Sequence, residues 1–125
     1  MAFGASHSEC ILNSCVMDIN NSKSQMRKGM LEYCILLLLK QQPAYANDII
    51  QRLRDAEMIV MEGTLYPLLT RLKNDGLLAY EWQESTQGPP RKYYKLTTEG
   101  QEALTQLDIS WEEISRTVNF LKVRR

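Results

Sequence analysis

The side chains best suited to chemistry in this sequence are cations and one tyrosine. Such side chains bind anions rather than catalyse covalent reactions. Arg71 and Lys73 are two residues apart, Arg91 and Lys92 are adjacent, and Tyr66 stands upstream of both pairs. Arg and Lys neutralise phosphate charge, and a tyrosine adds an apolar ring with a hydroxyl that hydrogen-bonds phosphate. These residues predict contact with a phosphate backbone. The alternative is solvated surface charge and a half-buried core tyrosine.

Catalytic and metal chemistry have no comparable pattern. The only histidine is His7, and the cysteines are Cys10, Cys15 and Cys34. An odd number of cysteines argues against a disulfide framework, and this set lacks the ligand number and spacing of a zinc site. The sequence also has no nucleophile elbow and no phosphate-binding glycine loop. We therefore expect no enzyme activity, no metal and no cofactor.

The charge of the chain is balanced overall, so any anion-binding surface must be local. The 125 residues carry a net charge of zero. Residues 27–97 contain ten Lys and Arg against eight Asp and Glu, a net of +2, and Lys28 joins Arg27 in a third basic pair. No apolar run approaches the ~20 residues of a membrane span, and no basic, apolar signal opens the chain. We expect a cytoplasmic protein.

The first half of the chain predicts an arm followed by two helices. Residues 1–24 are small, polar and aperiodic, which indicates a disordered arm or a non-native extension. A largely apolar helix is expected from Gln25 until "QQPAYAND" interrupts it, because the residue before a proline is pushed out of the helical region. A second helix follows with Asn47 as its N-cap and with Ile49, Ile50 and Leu53 inward. "EMIVME" reads as an extended linker or a single strand.

The stretch "EGTLYPLLTRLKNDGLL" predicts a third helix, despite its proline. If Thr64 is the N-cap, Pro67 takes the third helical position, where the missing amide has no intrahelical partner anyway. Gly76 after Asp75 is typical of a helix C-terminus. A buried face at helical spacing is expected from four leucines: Leu65, Leu68, Leu69 and Leu72.

Two alternating runs then predict a β-hairpin. "LLAYEWQE" and "RKYYKLT" flank "STQGPP", whose glycine and prolines form a stiff turn. Tyr93 and Tyr94 alternate faces, so one is expected in the core, and Trp82 on the first strand is expected there too.

The last segment predicts a helix with a narrow apolar stripe that suits a partner helix. Trp111 within the stripe offers a flat ring that could stack on a planar aromatic ligand, or simply pack at the interface. We call this set the terminal stripe; its members follow heptad spacing and are Leu104, Leu107, Trp111, Ile114, Val118 and Leu121.

Three helices followed by a hairpin is the order of a winged helix-turn-helix domain, expected over residues 25–97, with a dimerisation helix over residues 98–125. The fold class is thus mainly α with a small β-hairpin. The N-terminal residues of the third helix, including Thr64 and Tyr66, would face the major groove of DNA, and Arg91 and Lys92 would lie on the wing.

Several stretches resemble the PadR family of bacterial transcriptional regulators, over roughly residues 26–123. They are "MRKGMLEYCILLLL", "EGTLYPLLTRL", "GLL" and "GPPRKYYKLTTEG". The resemblance implies a homodimeric winged-helix repressor of a palindromic operator near its own or a neighbouring promoter, released in many members by a ligand or a stress signal. Where the family often has His-Gly-Tyr-Glu-Ile, this chain has "YANDI", so a contact of the family's tyrosine would fall to Asn47. The short C-terminal part is similar to the small members of the family, and drug-sensing members resemble the arrangement around Trp111.

The balanced charge also leaves open a different class of function. A winged-helix domain without a basic surface would serve as an adaptor that binds another protein rather than specific DNA. A continuous basic surface from the third helix to the wing favours the regulator, and a neutral or acidic surface favours the adaptor.

Overall fold

A computed structural model describes residues 18–123. The mainly helical class with a small sheet, in winged-helix order, is confirmed. His7, Cys10 and Cys15 lie outside the described residues, as does most of the arm expected over residues 1–24. The elements are α1 (Asp18–Gln41), β1 (Ala44–Tyr45), α2 (Ala46–Asp55), α3 (Glu62–Asn74), β2 (Leu78–Ser85), β3 (Gly88–Leu96) and α4 (Thr98–Val123).

The chain divides into two compact units, residues 1–31 and residues 32–125. In the first unit, α1 begins at Asp18, seven residues before the predicted start at Gln25. Residues 18–25 contain neither glycine nor proline. The carboxylate of Asp18 in the first turn interacts favourably with the positive end of the helix dipole. Lys28 is exposed on this part of α1.

The second unit holds a core of aliphatic side chains from four helices and the sheet. The inward positions predicted for α2 are confirmed, as are three of the four leucines predicted for α3; Leu68 is half-buried. Burying each such side chain contributes roughly 1.5–3 kcal/mol. The buried hydrophobic residues of this unit are Ile35, Leu36, Leu39, Ala44, Ile49, Ile50, Leu53, Val60, Leu65, Leu69, Leu72, Leu78, Tyr94 and Leu104.

The start of α2 differs from the prediction that Asn47 caps it. Tyr45 is the N-cap residue, and Asn47 is the second residue of the helix. The reason is long-range: Ala44 and Tyr45 pair with Tyr94 and Tyr93 of β3, so extended backbone continues up to Tyr45. The backbone N–H of Tyr45 then donates to the carboxylate of Asp48 at 3.3 Å.

Helix α3 also begins earlier than predicted. Met61, not Thr64, is the N-cap residue, because the N–H groups of Thr64 and Leu65 both donate to the Met61 carbonyl, at 2.9 and 3.0 Å. Pro67 therefore lies inside the helix. Its ring removes the bond that would reach the carbonyl of Gly63 one turn back. Gly63 is exposed, so water can satisfy that carbonyl.

The C-terminus of α3 follows the sequence closely. Gly76 has φ of 84°, a left-handed conformation that costs glycine little. The N–H of Gly76 donates to the carbonyl of Lys73, and that of Leu77 donates to the carbonyl of Leu72, both at 3.0 Å. This pair of bonds is a Schellman motif, which ends the helix and starts the wing.

The sheet contains the predicted hairpin and one additional strand. β2 and β3 pair antiparallel, and β1 pairs on the other side of β3. The segment Glu57–Glu62, considered above as a possible strand, forms none. The N–H groups of Glu57 and Met58 bond back to the carbonyls of Arg54 and Leu53 at the end of α2, and Glu57 has a positive φ of 65°.

Helix α4 is tied to the domain at its start. The hydroxyl of Thr97 accepts the N–H of Gly100 at 2.9 Å and donates to the carbonyl of Gly76 at 2.6 Å. A side chain at position 100 would overlap the carbonyl oxygen of Leu77, so only glycine fits this crossing. Further along, the hydroxyl of Tyr33 on α1 donates to the carboxylate of Asp108 at 2.5 Å. Beyond that bond, most of α4 is exposed.

Candidate nucleic-acid interface

A groove of about 310 Å³ lies where the start of α2, the outer side of α3 and the wing strands meet. It brings together four residues that the sequence predicted for DNA contact, namely Asn47, Tyr66, Arg91 and Lys92. Its described lining includes two cations and no carboxylate, so the groove is basic although the domain is nearly neutral. We call it the wing groove; its lining residues are Tyr45, Ala46, Asn47, Tyr66, Thr70, Trp82, Arg91, Lys92 and Tyr94.

The two cations of the wing groove rest on aromatic rings rather than on acids. The guanidinium carbon of Arg91 is 3.9 Å from the ring centroid of Tyr45. The ammonium of Lys92 is 4.6 Å from the ring centroid of Tyr80 and 5.5 Å from that of Trp82. Within residues 18–123, neither cation has a carboxylate within 4.0 Å. A cation over a ring keeps its full charge, so both remain available to an anion.

The rings form a cluster across the wing strands. Tyr80 meets Trp82 edge-on at 5.8 Å and Tyr94 at 5.6 Å between centroids. Tyr94 is buried, which raises the pKa of its hydroxyl through desolvation, with smaller contributions from Tyr80 and Tyr66. Of the adjacent tyrosines, Tyr94 is thus in the core, and Tyr93 is half-buried.

The expectation that Trp82 is a core residue is wrong. Its side chain is 61% exposed. Along β2, Leu78 is buried, Tyr80 is half-buried and Trp82 is exposed, because the strand runs outward from the core towards the hairpin turn. The alternation of β2 was read correctly, but alternation alone does not tell how far along a strand the core extends.

On α3, the residues that line the wing groove are Tyr66 and Thr70. Tyr66 is 43% exposed, so its side chain packs partly against the protein and is partly accessible to solvent. Thr70 is four residues further and shares its face of the helix. Thr64 lies on the exposed first turn of α3, outside the lining of the groove.

The remaining predicted contacts lie elsewhere. Arg71 pairs with the carboxylate of Glu32 on α1, so its charge is already compensated. The ammonium of Lys73 is 5.8 Å from the ring centroid of Tyr80, on a side of α3 that does not line the groove. Lys28 belongs to the first unit of the chain. DNA contact stays a prediction for these three residues and for Thr64, as it does for the predicted residues that line the wing groove.

Five of the residues that line the groove were missed by sequence reasoning: Tyr45, Ala46, Thr70, Trp82 and Tyr94. The alternation of "YEW" with "KYY" could have placed Trp82 beside Lys92, its partner in the antiparallel register. Thr70 follows Tyr66 at a helical spacing. No local signal marks Tyr45, because its position depends on the pairing of β1 with β3, about fifty residues later in the chain.

The terminal stripe is divided between the core and the surface. Leu104 is buried in the chain's own core, where a second chain could not reach it, and Leu107 is half-buried. The other four members are exposed, with Trp111 at 41%. A dimer interface, if formed by α4, would therefore use Trp111, Ile114, Val118 and Leu121.

Within residues 18–123, no helix is long and apolar enough to cross a bilayer, and no cluster of His, Cys, Asp and Glu could hold a metal ion. Cys34 is half-buried and free, and burial raises the pKa of its thiol. A raised pKa disfavours the reactive thiolate at neutral pH.

Comparisons with known proteins agree with this fold. Residues 35–106 match the PadR-like family of transcriptional regulators, and the chain belongs to that family. The structure is similar to a PadR-like transcription factor from Bacteroides fragilis, with 70% identity and a TM-score of 0.71 over 81% of this chain and 98% of that one. It is also similar to a PadR-like transcriptional regulator from Bacillus cereus, with 37% identity and a TM-score of 0.72 over 81% and 99% of the two chains.

A transcriptional regulator of Mycobacterium tuberculosis is 46% identical over 59 residues, which are 47% of this chain and 54% of that protein. The family resemblance drawn from the sequence motifs is thus confirmed. The chain is a winged helix-turn-helix protein of a family of transcriptional regulators.

Proposed function

We propose that the protein is a homodimeric transcriptional repressor that binds a palindromic operator near its own or a neighbouring promoter. The observation that carries the proposal is the wing groove, which Arg91 and Lys92 line together with Tyr66 and in which neither cation pairs with an acid of the described residues. An uncompensated basic surface on an otherwise neutral domain suits a phosphate backbone.

The elements around the groove fit the docking of a winged helix on duplex DNA. The first turns of α3 carry exposed side chains, Thr64 and Tyr66, at the end of the helix that reads base edges in such folds. Asn47 on the first turn of α2 borders the same groove, beside backbone N–H groups that favour an anion. The wing cations then hold the adjacent phosphates and fix the register of α3.

The exposed end of α4 supports the homodimer. Four large apolar side chains at heptad spacing are exposed there: Trp111, Ile114, Val118 and Leu121. A second α4 would bury each stripe against the other with twofold symmetry. Such a dimer presents two copies of α3 to half-sites about one helical turn, roughly 34–36 Å, apart. This arrangement explains why the operator would be palindromic.

A small planar aromatic effector would act at the same interface. Two Trp111 rings facing one another across a twofold axis form flat apolar walls that suit such a ligand. A ligand held there shifts the spacing of the two α3 helices only if it binds the DNA-free arrangement more tightly.

The proposal is tested by binding of the purified protein to its own upstream DNA, measured by fluorescence anisotropy at several salt concentrations. A scrambled duplex of the same composition is the reference for specificity. We expect preferential binding that weakens with salt, and a loss of about tenfold for Tyr66→Ala, or ~1.4 kcal/mol. Lys95→Ala is the matched control, because Lys95 is an exposed wing cation outside the groove.

Equal affinity for the operator region and the scrambled duplex in moderate salt would overturn the proposal and favour the protein-binding adaptor. The effector is tested separately by calorimetric titration of planar aromatic compounds into wild type and Trp111→Ala. Trp82→Ala is the control, since that ring lies in the groove rather than on α4. Heat that is unchanged by Trp111→Ala would exclude the ligand site.

A further inference from the structure

Tyr45 makes contacts to both strands of the wing from the end of β1. Its ring centroid is 3.9 Å from the guanidinium carbon of Arg91 and 4.9 Å from the ring centroid of Tyr93, both on β3. Its hydroxyl donates to the side-chain oxygen of Gln83 on β2 at 2.5 Å. Gln83 and Arg91 are themselves partners in the β2–β3 register. A single side chain therefore joins the N-cap of α2 to both strands of the wing.

We propose that Tyr45 is a positioning residue for DNA binding, which holds the Arg91 guanidinium in the orientation that receives a backbone phosphate. The inference rests on the proposed function and goes beyond it, because the proposed function gives Tyr45 no role. Tyr45 need not touch DNA itself; it acts through Arg91.

The geometry separates the two parts of the guanidinium. One face is covered by the Tyr45 ring, while the planar N–H edge is left to donate two parallel hydrogen bonds to a phosphate. No carboxylate within residues 18–123 lies within 4.0 Å of that edge. A long, flexible cation loses rotamer freedom when it binds an anion, and stacking in the free protein removes part of that cost beforehand.

Arg71 shows what a guanidinium of this domain does without such a platform. It lies on the exposed side of α3 and pairs with Glu32. Among residues 18–123, Arg91 has no acid within 4.0 Å and is instead held by a ring, which orients the side chain without neutralising it. A ring orients the guanidinium and leaves its charge and its N–H donors available to a phosphate.

The ring and the hydroxyl of Tyr45 have separable roles. The ring contacts Arg91, whereas the hydroxyl only anchors the ring to Gln83. Tyr45→Phe keeps the ring, and Tyr45→Leu removes it while keeping an apolar side chain. A merely structural role for Tyr45 would make the effect of Tyr45→Leu independent of Arg91.

The test is a pair of double-mutant cycles on operator affinity. We expect losses of about tenfold for Arg91→Ala and about fivefold for Tyr45→Leu, but about tenfold rather than fiftyfold for the double variant. Tyr45→Phe should stay within about threefold of wild type. The control cycle pairs Tyr45→Leu with Lys92→Ala, whose ammonium rests on other rings, and its effects should multiply.

A second readout uses the wild-type protein without DNA, and so does not depend on how the variants fold. The side-chain methylene protons of Arg91 should be shifted upfield in the proton NMR spectrum by the ring current of Tyr45. Unshifted protons, or multiplicative losses in the Tyr45–Arg91 cycle, would overturn the inference while leaving the repressor intact. Failure of the wild type to prefer its operator would instead overturn the proposed function, and this inference with it.

Discussion

Two exposed tryptophans lie in regions of opposite character. Trp82 on the wing is 61% exposed and stands 5.5 Å from the ammonium of Lys92, among other aromatic rings. Trp111 on α4 is 41% exposed and belongs to a stripe of Ile, Val and Leu. The positive charge beside Trp82 attracts an anion. The apolar surface around Trp111 is stabilised when other apolar atoms cover it. Each exposed ring belongs to a surface for which we propose a partner, and its neighbours decide which kind of partner suits it.

The boundary between the core and the terminal stripe lies within one helix. Leu104 is 1% exposed, and the Tyr33–Asp108 hydrogen bond ties the next turn of α4 to α1. From Trp111 onward the same heptad pattern continues, but each of its members is at least 41% exposed. One periodic sequence thus serves the core at its start, and at its end it supplies the surface on which we propose that the dimer forms.

The largest effect is expected for a charge placed in the terminal stripe, because it should abolish the dimer while leaving the wing unchanged. Val118→Glu places a carboxylate in the exposed part of the terminal stripe, and an unpaired charge buried by a partner helix costs several kcal/mol. We expect a monomer at micromolar concentration by size exclusion with light scattering, and a loss of operator affinity of at least about 100-fold.

Asn119→Glu is the matched control, since it adds the same charge one residue later and off the stripe. It should leave the dimer intact. If the two variants behave alike, α4 is not the dimer contact.

The tryptophans themselves test the comparison more directly. Trp82→Ala should weaken operator binding about fivefold, or ~1 kcal/mol, without changing the dimer, because it removes a ring beside Lys92. Trp111→Ala should raise the dimer dissociation constant at least tenfold, as expected of a central aromatic contact worth about 2 kcal/mol. Sedimentation and DNA titration are measured on both variants. The comparison breaks if either substitution produces the effect expected of the other.

Substitutions of Arg71 and Arg91 test which arginine belongs to the basic surface. Arg71→Ala should change operator affinity by less than about threefold, because Glu32 already compensates its charge. Arg91→Ala should lower the slope of log affinity against log salt by about 1, as expected for one lost phosphate contact. The salt dependence of both variants is measured on the same duplex. Equal slopes for Arg71→Ala and Arg91→Ala would show that the basic surface extends around α3.

The smallest effect is expected for the hydrogen bond between Tyr33 and Asp108, where the buried part of α4 ends. Tyr33→Phe removes the hydrogen bond to Asp108 and should lower the free energy of unfolding by about 1 kcal/mol at pH 7, measured in urea. Tyr93→Phe is the control, since its hydroxyl has no hydrogen-bond partner among the described residues.

That bond also predicts a pH dependence. The hydrogen bond to the carboxylate of Asp108 is the main reason why the pKa of Tyr33 is raised from 10.0 to about 12. Burial and nearby acids also raise this pKa. A raised pKa means that the neutral hydroxyl is favoured in the folded state, so its stabilisation is complete below pH 10 and is lost as the pH rises towards 12. The difference between wild type and Tyr33→Phe should shrink over that range. A difference that stays constant would mean that Tyr33 does not titrate there.

Local patterns predicted the elements that depend on neighbouring residues. The leucine face of α3, the glycine that ends it and the hairpin all follow from periodicity or turn chemistry within about ten residues. The sequence also named four of the nine residues that line the groove, two of them as a basic pair that follows a stiff turn and so belongs on a wing. Helix starts were predicted less well: Tyr45 and Met61 are N-caps without a typical capping side chain.

The sequence by itself determined the order of the elements, their inward faces and the chemistry available at the surface, because these follow from side-chain type and spacing. Only the tertiary structure decided which cations stay free and how much of the terminal stripe is exposed. Arg71 meets Glu32 and Arg91 meets Tyr45 across separations of 39 and 46 residues. Such pairings depend on how helices and strands pack, and no local pattern encodes them.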